Sequence, residues 1–321
     1  MTEPLLKVSN LKTYFISKYR TVKAVDGVGF EVKKAKVLGI VGESGSGKSM
    51  TSLSIMGLIP PPYGKIVEGE IRFEGVDLAK LSEKKMNDIR GNRISMIFQE
   101  PMSALNPVLK IGVQIDEVLI RHKNMSKSEA RRKSIQLLQS VGFPRAEQIV
   151  TEFPHQLSGG MRQRAMIAMA MACEPSILIA DEPTTALDVT IQAQVLDLMR
   201  DLKEHTGTAI VLITHDLGVV ADMADDMIVM YAGQVVESGT ADDIFNTPLH
   251  PYTHALMESI PVIDEDRERL TAIPGTVPSA ANFPQGCRFA ERCALAQSSC
   301  REKMPELREL HPGHLVRCDL A

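Results

Sequence analysis

The sequence predicts an α/β fold: a parallel sheet, an antiparallel β subdomain ahead of it, a helical insertion and a small Cys-rich C-terminal extension. Three observations carry this. Val37 to Val41 (VLGIV) is a short apolar run that feeds a Gly-rich loop and then the apolar-periodic stretch Met50 to Leu58, which reads as strand, loop, helix. Two further buried-strand runs, Ser176 to Ala180 and Ala209 to Thr214, alternate with helical segments, the pattern of a parallel sheet. Between about Pro101 and Gln156 strand signals vanish and charged helical periodicity takes over, as in KSEARRKSIQLLQSVG.

The remaining elements follow in chain order. Leu6, Val8 and the run Thr21 to Val32 show period-2 patterning, broken at Gly27 and Gly29, and Ile66 to Phe73 returns to alternation as a hairpin arm. A Leu-Ser-Gly-Gly turn precedes a helix from about Met161. After Gly239 the sheet pattern ends and the tail is rich in proline and turn residues. The expected organisation is residues 1–240 as a nucleotide-binding domain, with its insertion at about 101–160, and residues 241–321 as an extension.

Composition narrows the class. The chain has 321 residues, 44% of them apolar and 24% charged, with a net charge of −4. That balance suits a globular protein and argues against nucleic acid as a partner. The longest apolar run, Ala165 to Cys173, has nine residues, against about 20 for a membrane span. MTEPLLKVSN lacks a signal pattern, so a cytoplasmic location is expected. Five cysteines occur, and four of them (Cys287, Cys293, Cys300, Cys318) fall in the tail. In a reducing compartment such clustering suggests a metal before disulfides.

Gly42, Glu43, Ser44, Gly45, Ser46, Gly47, Lys48 and Ser49 match the established P-loop pattern G-x-x-x-x-G-K-S/T. Its backbone N–H groups cradle phosphate at a helix N-terminus, where Met50 continues the turn. Lys48 reaches the β- and γ-phosphates of ATP, and the Ser49 hydroxyl ligates Mg²⁺. The fold class is therefore a P-loop NTPase core. Ile177 to Asp181 is a second apolar strand, ending in Asp181 and Glu182. Asp181 is placed to hold Mg²⁺, and Glu182 to polarise a water for attack on the γ-phosphate. Ser158, Gly159 and Gly160 at the start of a helix make a second anion site, which makes sense if it meets ATP held by a partner's P-loop.

With these motifs the chain resembles the ATP-binding-cassette ATPases over residues 5–240. The resemblance makes Leu157 to Met161 (LSGGM) the signature loop and Gln99, in IFQEP, the glutamine that contacts Mg²⁺ or the attacking water. Thr185 to Asp188 becomes the loop crossing the dimer interface, and His215, 33 residues after Glu182, the switch histidine at the γ-phosphate. Phe15 falls at the aromatic position that stacks on adenine, with Tyr14 the adjacent alternative. It further implies a hydrolysing ATPase that sandwiches two ATP molecules head-to-tail. A soluble cassette of translation or DNA repair would typically carry two cassettes, and a small-molecule kinase would not need the signature, Asp188 or His215.

The tail is similar to the oligopeptide/dipeptide importer branch of that family, which includes nickel importers: His250-Pro251-Tyr252, Ile273 to Pro278, Gly286-Cys287-Arg288-Phe289 with Arg292-Cys293, and HPGHLVRC. The branch implies two transmembrane permease subunits, a second and paralogous ATPase subunit, an extracellular substrate-binding protein, and a peripheral position on the cytoplasmic side of the cell membrane. The cysteine spacing C-x₅-C-x₆-C-x₁₇-C lacks the close pairs of structural zinc. Four thiolates suit an iron–sulfur cluster equally well, with Arg288, Arg292 and Arg301 offsetting its charge. The branch resemblance favours a 4Fe-4S cluster stapling the tail, with zinc or unligated thiols as alternatives. Cys173 reads as an inert core thiol, and the Met-rich stretch around Met166 as packing.

Overall fold

A computed structural model describes residues 3–100, 104–185, 187–259 and 273–321. The chain divides into two compact units, Met1–Lys80 with Ile213–Ala321 and Leu81–Leu212. The strands among the described residues are β1 (Leu6–Ile16), β2 (Thr21–Val32), β3 (Val37–Val41), β4 (Gly64–Phe73), β5 (Val76–Asp77), β6 (Ile94–Ile97), β7 (Ile177–Asp181), β8 (Ala209–Ile213), β9 (Asp226–Tyr231), β10 (Gln234–Thr240), β11 (Arg308–His311) and β12 (His314–Val316). The α/β architecture is the expected one.

In the first unit β1 is the centre of an antiparallel sheet ordered β2-β1-β4-β5. Its alternation puts Leu6 and Val8 in the core, opposite Val32 and Phe30 of β2. A second sheet runs β3-β9-β10-β12-β11 within this unit. β3 is parallel to β9, with Ile40 opposite Ile228, and every residue of β3 is buried. A five-residue strand covered on both faces needs no alternation, which is why VLGIV is apolar throughout.

The tail extends the sheet instead of ending it. β12 pairs antiparallel with β10, Glu237 opposite Val316, and turns through Gly313 (φ +78°) into β11. The tail also contributes to a buried core. Tyr252, on the helix Pro251–Glu258, and Phe289 pack on Tyr231 of β9 with ring centroids 4.7 and 5.3 Å away. Tyr231 and Tyr252 are buried, and aromatic clusters of this kind contribute about 0.5–1.5 kcal/mol per pair beyond area burial.

In the second unit the strand order is β8-β7-β6, with β6 and β7 parallel. The insertion holds the helices Ile111–Lys123 and Lys127–Ser140. Ser126 and Glu129 form a reciprocal capping box at the start of the second helix. Buried Asp116 accepts from Arg131 Nε at 2.8 Å and from Ser134 Oγ at 2.6 Å, locking the two helices together. No helix among the described residues is long and apolar enough to cross a membrane.

Candidate functional site

In the first unit β3 delivers the chain into the loop Gly42 to Gly47, and the helix Lys48–Ile55 leaves it. Two glycines are forced by close approach. A Cβ on Gly42 would lie 2.1 Å from the Met230 carbonyl oxygen, and one on Gly47 (φ +100°) 2.5 Å from that of Ala24. Lys48 is buried, and its Nζ donates to the Gly42 and Glu43 carbonyls at 2.6 and 3.1 Å. Ser46 Oγ is buried without a hydrogen-bond partner, a polar atom awaiting a ligand. Ser44 and Gly45 are exposed, while Ser49 and Met50 are half-buried. The loop thus has two positions that admit only glycine and an unspent hydroxyl that a phosphate group can engage.

His215, also in this unit, is exposed just beyond β8. The Thr214 N–H donates to the Ile40 carbonyl at 3.2 Å, fixing this turn beside the end of β3. Asp216 then caps the helix Leu217–Met223. On β1, Phe15 is half-buried opposite Val22 and Gly64. Tyr14 is engaged otherwise. Its hydroxyl donates to Asp26 at 2.5 Å, and burial together with that carboxylate raises its pKa.

In the second unit β7 ends at buried Asp181. Glu182 follows with φ +48°, a left-handed conformation uncommon for a residue with a side chain. Gln99 Nε2 and Thr185 Oγ1 both donate to Glu182 Oε2 at 2.9 Å. Two donors on one oxygen fix the rotamer of the carboxylate. Gln163, buried two positions beyond LSGGM, donates to the Pro183 carbonyl at 2.5 Å and so holds the turn after Glu182.

Ser158 caps the helix Gly159–Met171, its Oγ accepting the Met161 N–H at 3.3 Å. A Cβ on Gly160 would meet Ile191 Cγ2 at 2.8 Å. Asp188 caps the helix Val189–Thr206 through the Ile191 N–H at 3.0 Å. Ser158, Gly159, Gly160 and Asp188 line one cavity of about 560 Å³. Ala186, within the expected interface loop, lies outside the described residues, as do Pro101 to Ser103 at the start of the insertion.

The iron–sulfur expectation is overturned. Among the described residues no group of three or more His, Cys, Asp or Glu side chains could hold a metal ion. Cys287, Cys293, Cys300 and Cys318 are free thiols lining a cavity of about 20 Å³, room for roughly one water and none for a 4Fe-4S cluster. Burial raises the Cys287 and Cys293 thiols, the direction opposite to the thiolate that ligation needs. The zinc alternative fails with it. Two of the three arginines expected to offset a cluster's charge are used elsewhere. Arg288 pairs with Asp26, and Arg292 with Glu43 of the loop. Those partners were missed because they lie hundreds of residues away, although a carboxylate inside a phosphate loop was itself a visible signal.

Residues 25–185 match the ABC transporter family, and residues 236–300 the oligopeptide/dipeptide transporter C-terminal region. The chain is 60% identical to the oligopeptide transport ATP-binding protein AppD of Bacillus subtilis, over 98% of this chain and 96% of that one. It is 51% identical to the dipeptide transport ATP-binding protein DppD of the same organism (98% and 94%) and 49% identical to DppD of Escherichia coli (98% and 96%). Among solved structures it resembles the ATP-binding cassette MJ0796 in a dimeric post-hydrolysis state bound to ADP and Pi. The TM-score is 0.66 at 29% identity, over 74% of this chain and 98% of that one.

Proposed function

The chain belongs to the ABC transporter ATPases, and from that membership we propose that it is the motor subunit of an importer of di- and oligopeptides. The observation that carries the peptide assignment is the C-terminal region of oligopeptide/dipeptide transporters at residues 236–300, following an ABC domain in a chain 60% identical to an oligopeptide transport ATP-binding protein. Residues 1–240 act as the cassette and 241–321 as the importer-type extension.

The residues take these roles. Gly42 to Met50 bind the phosphates of ATP through backbone N–H groups, the Ser44 and Ser46 hydroxyls and Lys48. Ser49, Asp181 and Gln99 would hold Mg²⁺, which neutralises charge on the β- and γ-phosphates. Glu182, oriented by Gln99 and Thr185, polarises the attacking water and accepts its proton. His215 contacts the γ-phosphate, and Phe15, whose neighbour Tyr14 is spent on Asp26, stacks on adenine. Ser158, Gly159, Gly160 and Asp188 face the ATP of a second ATPase subunit, so that ATP closes the pair and hydrolysis releases it.

Two permeases, a paralogous ATPase and an extracellular substrate-binding protein complete the assembly, with this subunit peripheral on the cytoplasmic face of the membrane. A groove of about 660 Å³ on the insertion, lined by exposed Val113 and Ile120 beside Asp116 and Arg131, suits a docking permease helix. The test is the purified chain with ATP. Phosphate release should fall by about 100-fold or more in Glu182→Gln, and that variant should accumulate as an ATP-bound dimer by size. Wild-type turnover in Glu182→Gln would refute the base assignment, and transfer of phosphate to an acceptor would refute the motor. Isolation of the intact complex should yield the two permeases, and loss of the gene should abolish uptake of labelled tripeptide. Unchanged uptake would refute the peptide assignment.

A further inference from the structure

The phosphate loop carries a defect as an anion site. Between Gly42 and Ser49 its only charged side chains are Glu43 and Lys48, so its formal charge is zero. Glu43 is the second residue of the loop, and a free carboxylate there would repel a triphosphate. The structure removes that charge with a residue from the far end of the chain. Arg292 Nη1 donates to Glu43 Oε2 at 2.6 Å and Nη2 to Oε1 at 3.0 Å, a bidentate pair. The Arg292 side chain is only 5% exposed.

Arg292 is itself held from several sides. Its Nε donates to the Pro274 carbonyl at 2.8 Å and its Nη1 to the Tyr231 hydroxyl at 3.2 Å. The backbone of the same loop residue is also engaged by the tail, since the Glu43 N–H donates to the Tyr252 hydroxyl at 2.9 Å. Tyr252 is fully buried against Tyr231 and Phe289. The Glu43 carbonyl in turn accepts from Lys48 and from the Ser46 N–H. Side chain, N–H and carbonyl of one residue are thus spoken for, two of the three with the tail or through it.

We propose that the C-terminal extension is a working part of the nucleotide site: Arg292 is a positioning residue that neutralises Glu43 and holds its carboxylate away from the bound triphosphate, while Tyr252 pins the loop backbone. This rests on the reading of Gly42 to Ser49 as the phosphate site. With Arg292 in place the loop and its partner carry a net charge of +1, and the extension becomes a determinant of ATP affinity.

Four full-length chains test this with the fluorescent nucleotide mant-ATP at low salt and in 0.5 M KCl. The local charge is +1 in the wild type, 0 in Arg292→Met, +2 in Glu43→Gln and +1 again in the double variant. Affinity should follow that order. Arg292→Met should weaken binding by about three- to tenfold, Glu43→Gln should tighten it, and the double variant should return to within about threefold of wild type. The spread should shrink in 0.5 M KCl, where the Debye length falls to about 4 Å. A merely structural role would lower the melting temperature in every variant without this order or its salt dependence. Four equal affinities, or Glu43→Gln weakening binding as much as Arg292→Met, would overturn the proposal. Should Arg292→Met fail to fold, the other two variants decide: a double variant that folds but binds far more weakly than wild type overturns it. Wild-type chain that does not bind mant-ATP, or Lys48→Ala that binds equally well, would instead refute the phosphate-site reading.

Discussion

Acid should weaken the contact between tail and loop through one histidine. His250 caps the helix Pro251–Glu258, its Nδ1 accepting the Tyr252 N–H at 3.0 Å. An imidazole nitrogen can accept only when unprotonated. Burial, with Arg317 as the second cause, pulls the His250 pKa from 6.5 down to about 3. In the unfolded chain it titrates near its ordinary value of about 6.5. Between about pH 3 and pH 6.5 the unfolded chain therefore binds a proton that the folded chain refuses. Stability is unaffected by this group above that window, falls as pH falls through it, and levels off below the folded value. Between pH 7 and pH 5 the loss from this group is about 2 kcal/mol. Urea unfolding of wild type and His250→Asn at both pH values measures it. Asparagine keeps a capping oxygen and does not titrate, and losses from carboxylates common to both chains cancel in the difference. Wild type should lose about 2 kcal/mol more than the variant. Equal losses would refute a neutral, buried His250.

Further expectations concern the second unit and the thiols. Asp116→Ala should destabilise the insertion by about 1–3 kcal/mol, since it orphans Ser134 and Arg131, the latter partly able to rehydrate; thermal melting reads this directly. Gln99→Ala should lower ATP turnover less than Glu182→Gln does, because Thr185 still donates to the carboxylate; steady-state phosphate release compares them. Alkylation of Cys287 and Cys293 by iodoacetamide at neutral pH should be markedly slower in the folded chain than in urea, since burial holds both thiols protonated; mass spectrometry of the labelled peptides checks it.

What the sequence made legible was local. Val37 to Val41 and Ile177 to Asp181 announce themselves because strands buried on both faces are continuous apolar runs. The loop between Gly42 and Ser49 is readable because its chemistry demands adjacent residues. The hairpin Arg308 to Val316 was not readable, since strands of four and three residues with mixed polarity show no period. The Gln99 contact to Glu182 spans 83 positions and the Arg292 contact to Glu43 spans 249, and no periodicity reports such pairs. The cysteines failed for the converse reason. Closeness along the chain does not make a ligand set, and four free thiols around a space of about 20 Å³ are packing.

The distance between Glu43 and Arg292 also sets a schedule. At about 5–20 residues per second, a ribosome that has just made Glu43 needs on the order of ten seconds or more to reach Arg292. Throughout that interval the nascent loop has its own fold-directing glycines but an unpaired carboxylate. On the proposed role of Arg292, full affinity for ATP arrives late in synthesis, after the residues that would engage a partner subunit have been made. A chain cut short ahead of Arg292 would carry a complete set of cassette motifs and, on the same proposal, a weakened grip on nucleotide, and so would be a poor competitor for assembly with its intact siblings.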